Sequence, residues 1–195
     1  MPRLKAEQRK AQLLDIATQA FAQGGFAATT TAQIAQLAGV TEPILYRHFK
    51  GKQQLFVAIV ERVSAETTEY FRSLTAKEKD PINRLRKVCA SLPEHIRRRA
   101  DAYHVLHGAL TTSRDKAVVE VIKRHYAQMH AFFRDLIRQG QSTGAFDHDL
   151  DARRAAWHIV MTGVGYATLS LNLDVIDRAT IGETIDELLR GMRRG

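Results

Sequence analysis

Between Thr29 and Lys52 the apolar pattern restarts twice, and no other stretch constrains the fold as strongly. Thr29-Thr30-Thr31 supplies a helix cap. Ile34, Ala35, Leu37 and Ala38 then form a short apolar set, which Gly39 breaks after about two turns, with Val40 packing under the break. Thr41 can cap the next helix. Its first turn tolerates Pro43 because backbone N–H groups there have no intrahelical partners. Leu45 and Phe49, four apart, make its buried face; Lys50-Gly51 interrupts, and another helix begins near Lys52. A segment as short as 41–49 is not stable alone, so Leu45 and Phe49 must hold it against the preceding helices. Two short helices joined by a glycine turn describe a helix-turn-helix over 30–49. Its outer face presents Glu42, Pro43, Tyr46 and Arg47, a poor core and a good match for the major groove of DNA.

The remaining chain reads as helix after helix. Leu13, Ile16, Ala17, Ala20 and Phe21 recur at helical spacing over 6–23, and Gly24-Gly25 supplies a stop. Further helices are expected over about 52–76, 81–99, 102–110, 115–139, 150–173 and 180–192. Asp147, Asp149 and Asp151 lead into one of these as capping residues. They lack the further oxygen ligands and terminal Glu of a Ca²⁺ loop. No strand-like alternation or repeat interrupts the series. The fold class is all-α, about nine helices in total.

Charge sharpens the assignment. The 195 residues carry a net +8, and through Lys52 seven basic residues face only Glu7, Asp15 and Glu42. A basic end on a nearly balanced body suits a polyanion partner. Arg3, Lys5, Arg9 and Lys10 form a basic arm ahead of the first helix, for which two readings stand: phosphate or minor-groove contact, and a solubilising tail. The start, 1–10, lacks the apolar core of a secretory leader, and 155–171, although apolar, falls short of a clean membrane span. The expected location is the cytoplasm, with no membrane partner. The single cysteine, Cys89, excludes an internal disulfide framework; beside Leu85, Val88 and Leu92 it reads as a core thiol, with a nucleophile as the lesser alternative. No nucleophile, metal or paired-carboxylate constellation marks an enzyme, and no cofactor is expected.

The segment Ile34-Ala35…Ala38-Gly39-Val40…Leu45-Tyr46-Arg47-His48-Phe49…Lys52 resembles the signature of the TetR family of bacterial transcriptional regulators, over roughly 6–64. Beyond that the likeness rests on chain length, helical character and the Gly144-Ala145-Phe146 loop. The resemblance implies a basic arm and DNA-binding domain over 1–52, then a helical effector-binding and dimerisation domain over 53–195. Carried over by position, Thr30, Thr31, Tyr46, His48 and Lys52 would anchor phosphates, while Ala32, Glu42, Pro43, Ile44 and Arg47 would read bases. Arg47 suits guanine, and Pro43 and Ile44 suit thymine methyls. Glu42 suits a cytosine amino group, or equally serves as a favourable charge in a first helical turn.

The implied function is a transcriptional repressor released from a palindromic operator by a small organic effector. A homodimer would set two readers about 34–36 Å apart on double-stranded DNA. The dimer contact should involve the last two helices, where Gly163, Gly165 and Ala167 allow close approach or instead mark a bend or cavity wall. The effector pocket would lie among the central helices, with Tyr103, His104, His107, Tyr126, Met129, Phe133, Trp157, Met161 and Tyr166 as candidate liners against the alternative of plain core. His104 and His107 share a helix face, with His125 and His130 nearby in sequence, but no thiol or acid completes a metal site. The rival functions are a constitutive or sequence-indifferent DNA-binding protein without a ligand, and a small helical enzyme.

Overall fold

In a computed structural model, which describes residues 5–173 and 175–193, the described residues form nine helices and no strand. They are α1 (Ala6–Ala28), α2 (Thr31–Leu37), α3 (Glu42–His48), α4 (Lys52–Thr75), α5 (Pro81–Arg98), α6 (Ala100–Thr112), α7 (Lys116–Ser142), α8 (Ala152–Asn172) and α9 (Arg178–Gly191). Four begin under an aspartate. The Asp80, Asp115, Asp151 and Asp177 carboxylates accept backbone N–H bonds from Ile82 and Asn83, from Ala117 and Val118, from Arg153 and Arg154, and from Thr180. Each such cap is worth about 1 kcal/mol.

Contacts divide the chain into two compact units. The first runs to Val63 and resumes over Ala100–Lys123; the second comprises Ser64–Arg99 and the residues from Arg124 onward. The expected boundary after Lys52 separates roles along the sequence, whereas contacts assign α6, which packs along α1, to the first unit.

In the first unit Leu13, Leu14, Ala17 and Phe21 of α1 are buried with Ile34 and Ala35 of α2, Leu45 of α3 and Phe49. Phe21, Phe26 and Phe56 form an aromatic cluster with centroids 5.1–6.4 Å apart. The Gly24-Gly25 stop appears as a break inside α1: Gly25 adopts φ 73°, ψ 156°, a left-handed excursion natural to glycine, and one further turn follows. Gly39, at φ 63°, makes the turn between α2 and α3. Leu37, one of the short apolar set, is 65% exposed at the end of α2. Two expectations need correction. Thr41 occupies the cap of α3 but makes no side-chain capping bond; its carbonyl accepts from Ile44 and Leu45. Arg9 and Lys10 belong to α1 rather than to an arm preceding it, and Arg3 lies outside the described residues.

In the second unit α5 packs on α9 and α8. Tyr70 and Phe71 of α4, His95 of α5 and Phe132 and Phe133 of α7 form a ring cluster. Burial, then the nearby Arg99 charge, pushes His95 down to about 4. The Ser64 hydroxyl donates to Gln128 (2.9 Å) and lies 2.8 Å from His125 Nδ1. Since its one proton goes to Gln128, Nδ1–H must donate to Ser64, so this pair is a structural link and not an activated nucleophile. Cys89 is buried and pushed up to about 12, an inert thiol. Gly163 faces Leu92 of α5, where an added Cβ would stand 3.1 Å from its Cδ2. This glycine therefore serves close packing within the chain.

Candidate DNA interface

The α2–α3 corner is braced from beneath by Ile34, Ala35, Leu45 and Phe49, which fixes what it shows to solvent. Thr30 caps α2 through a reciprocal arrangement: its hydroxyl accepts from the Gln33 N–H, and its own N–H donates to Gln33 Oε1 (2.8 Å). Ala32, Pro43 and Arg47 are exposed, Ile44 and His48 are half-buried, and Tyr46 keeps 47% of its surface in solvent. All ten residues singled out from the sequence belong to the first unit.

Three of them touch. Thr31 opens α2, Glu42 opens α3, and Tyr46 lies one turn further along α3. Thr31 Oγ1 stands 2.8 Å from Glu42 Oε1 and 3.0 Å from the Tyr46 hydroxyl. Lys52 is held separately, donating to the Ala27 carbonyl (3.0 Å) with its ammonium 4.9 Å from the Phe26 ring centroid. Two of its three N–H donors stay available for an anion. The sequence carried no sign of the Thr31–Glu42 bond, which joins positions eleven apart. The contacts of Lys52 with Ala27 and Phe26 are likewise absent from the sequence pattern, which shows only a basic residue at a helix start.

The nine candidate effector-binding residues fall into two sets. Tyr103, His104 and His107 lie half-buried on α6 in the first unit. Burial and, secondarily, the His104 charge hold His107 below the ordinary histidine range. In the second unit Met129, Phe133 and Tyr166 are buried and Tyr126 is half-buried. Trp157 and Met161 instead face solvent from α8, 37% and 57% exposed, with Trp157 stacked on His130 at 4.6 Å. A groove of about 830 Å³ runs between the C-terminal half of α4 and α7 within the second unit; Thr68, Arg72, Arg84, Phe132 and Leu136 are among its walls, and none of the nine residues lines it. Arg84 Nε is buried with no hydrogen-bond partner among the described residues, although Nη1 donates to Gln139. On α4 the small and polar series Ala65, Thr68, Glu69 and Arg72 marks this wall, with Ala76 just past the helix end. Among the described residues no three His, Cys, Asp or Glu side chains converge as metal ligands, and no helix is long and apolar enough to cross a membrane.

The fold and this corner define a helix-turn-helix DNA-binding protein. Residues 13–59 match the bacterial regulatory proteins of the tetR family, and residues 78–168 match the tetracyclin repressor-like C-terminal domain. The transcriptional regulator TtgR of Pseudomonas putida is 30% identical over 163 residues, spanning 78% of this chain and 75% of TtgR. The transcriptional activator FasR of Mycolicibacterium smegmatis is 28% identical over 170 residues, 87% of this chain and 72% of FasR. In fold, the transcriptional regulator FadR of Bacillus subtilis, solved in complex with stearoyl-CoA, superposes with a TM-score of 0.82 at 19% identity, covering 92% of this chain and 96% of FadR. The chain belongs to the TetR family and is a DNA-binding transcriptional regulator.

Proposed function

We propose that this regulator represses transcription from a palindromic operator in the cytoplasm, as a homodimer without enzymatic activity, and is released by a small organic effector. The observation that carries the DNA half is the exposed Pro43–Tyr46–Arg47 face, set on a short helix anchored by fully buried Leu45. Thr30, Thr31, Tyr46, His48 and Lys52 face phosphates; Arg47, Pro43, Ile44 and Ala32 face base edges. Residues 1–52 carry this role, and 53–195 carry effector binding and dimerisation.

For the dimer, Trp157 and Met161 are the support: large apolar side chains four apart on the exposed face of α8 are better covered by a second copy than left in water. For the effector, the α4–α7 groove sets apolar Phe132 and Leu136 among polar walls that include Glu69, Arg72, Asp135 and the unsatisfied Arg84 Nε, suited to an organic molecule with both an apolar part and hydrogen-bonding groups. Because α4 supplies both Lys52 and this groove wall, an occupant bears on a helix that also holds DNA. Coupling between two such sites is typically about 1–3 kcal/mol.

Stearoyl-CoA, the ligand of the solved FadR relative, is the first probe. The purified protein is expected to enrich an inverted repeat from random duplexes and to lose affinity for it when an effector binds. Enrichment of no sequence, with equal affinity for all duplexes, would favour the sequence-indifferent alternative.

A further inference from the structure

We infer that Glu42 is a positioning residue that draws the hydroxyl protons of Thr31 and Tyr46 inward, and so sets how strongly this corner grips the DNA backbone without reading a base. The inference rests on the DNA-binding function and on the phosphate-facing roles of Thr31 and Tyr46.

Donors and acceptors fix the direction of each bond in this cluster. An ionised carboxylate only accepts, so across the 2.8 Å contact the Thr31 hydroxyl must donate to Glu42 Oε1. That consumes the one proton Thr31 has. Its oxygen can then only accept across the 3.0 Å contact with Tyr46, so the phenol donates to Thr31. The relay runs Tyr46 to Thr31 to Glu42, and every proton in it points toward the carboxylate. A DNA phosphate also only accepts. While the relay stands, neither hydroxyl has a proton for it, even though Tyr46 is exposed at the correct face.

The geometry explains why a carboxylate occupies this position at all. An anion in the outer face of a DNA reader weakens backbone attraction on every sequence, and its benefit to the first turn of α3 is small. Here it also locks together α2 and α3 through Thr31, holding the corner in shape before DNA arrives. Glu42 is half-buried, and its Oε1 already accepts from Thr31.

A glutamine reverses the relay. Its amide N–H can donate to Thr31 Oγ1, which frees the Thr31 proton and, through it, the Tyr46 proton for phosphate. Glu42→Gln is therefore expected to bind random duplex and selected operator more tightly by about tenfold, the scale of one charge-assisted hydrogen bond. The preferred sequence should not change. In a Thr31→Val background, where no relay exists, the same exchange is expected to gain less than about threefold, the part due to removing a charge alone. Equal gains in the two backgrounds would overturn the relay, as would a changed base preference in Glu42→Gln, which would make Glu42 a reader. Because the gain is read on random duplex as well, a wild-type protein that selects no operator would refute the operator proposal while still testing the relay. A wild-type protein that binds no duplex would refute both.

Discussion

Helices α3 and α8 each display an aromatic side chain to solvent, and they do so in opposite chemical settings. On α3, of seven residues, Tyr46 stands among a hydroxyl, a carboxylate and an arginine, over a base of buried Leu45. On α8, of 21 residues, Trp157 and Met161 stand over buried Ala156, Ile159 and Val160, and the ring beside Trp157 is the stacked His130. The first surface keeps water and exchanges hydrogen bonds, which suits a hydrated polyanion. The second gains most by losing water, which suits another protein surface. Exposure of an aromatic residue is therefore uninformative until its neighbours are known.

The comparison breaks most severely if the base of α3 is removed. Leu45→Ala, at a site with no solvent exposure, is expected to destabilise the first unit by about 3 kcal/mol and abolish DNA binding at physiological temperature. Chemical denaturation and gel retardation check this; retained binding would mean α3 does not depend on its anchor. A second large effect belongs to the second unit alone. His95 is held near 4 against an ordinary histidine value of 6.5, so its folded form prefers the neutral ring. The unfolded chain takes up a proton first as pH falls, and the stability from neutral His95, fully present above about 6.5, declines to a loss of about 3 kcal/mol by pH 4. Denaturation of wild type and His95→Gln across that window should show this slope only in wild type.

Smaller effects sharpen the contrast. Met161→Glu places a charge on the apolar face of α8. It is expected to weaken self-association by about 2 kcal/mol, roughly thirtyfold, measured by sedimentation, with the monomer fold intact. Lys52→Ala should cost about 1 kcal/mol on every DNA sequence alike and make the salt dependence shallower by about one ion, read from binding titrations at several salt concentrations. The same two substitutions exchanged between assays provide the control: Met161→Glu should alter DNA affinity only through the loss of paired readers.

Much of the first unit was legible because its signals are local. The Gly39 turn, the Pro43 start and the Leu45–Phe49 face sit within a few residues of one another, and periodicity finds them. The exposure of Leu37 is not legible, because a seven-residue helix offers too little period to assign its last residue to a face. The missing side-chain cap at Thr41 was invisible for a related reason, since capping is a rotamer choice and not a residue type. The relay through Thr31, the Ala27 carbonyl under Lys52 and the α4–α7 groove all depend on partners distant in sequence. The helices themselves were found to within a few residues, apart from α1, which resumes past the Gly25 break.

Whether the outer face of α3 reads DNA sequence is decided at Arg47. Selection from a random duplex library should give wild type an inverted repeat. Arg47→Ala should keep that repeat and lose preference at one base pair in each half, a discrimination of about 1–3 kcal/mol. If Arg47→Ala selects the same sequence with the same stringency, Arg47 reads no base and the account of α3 is contradicted.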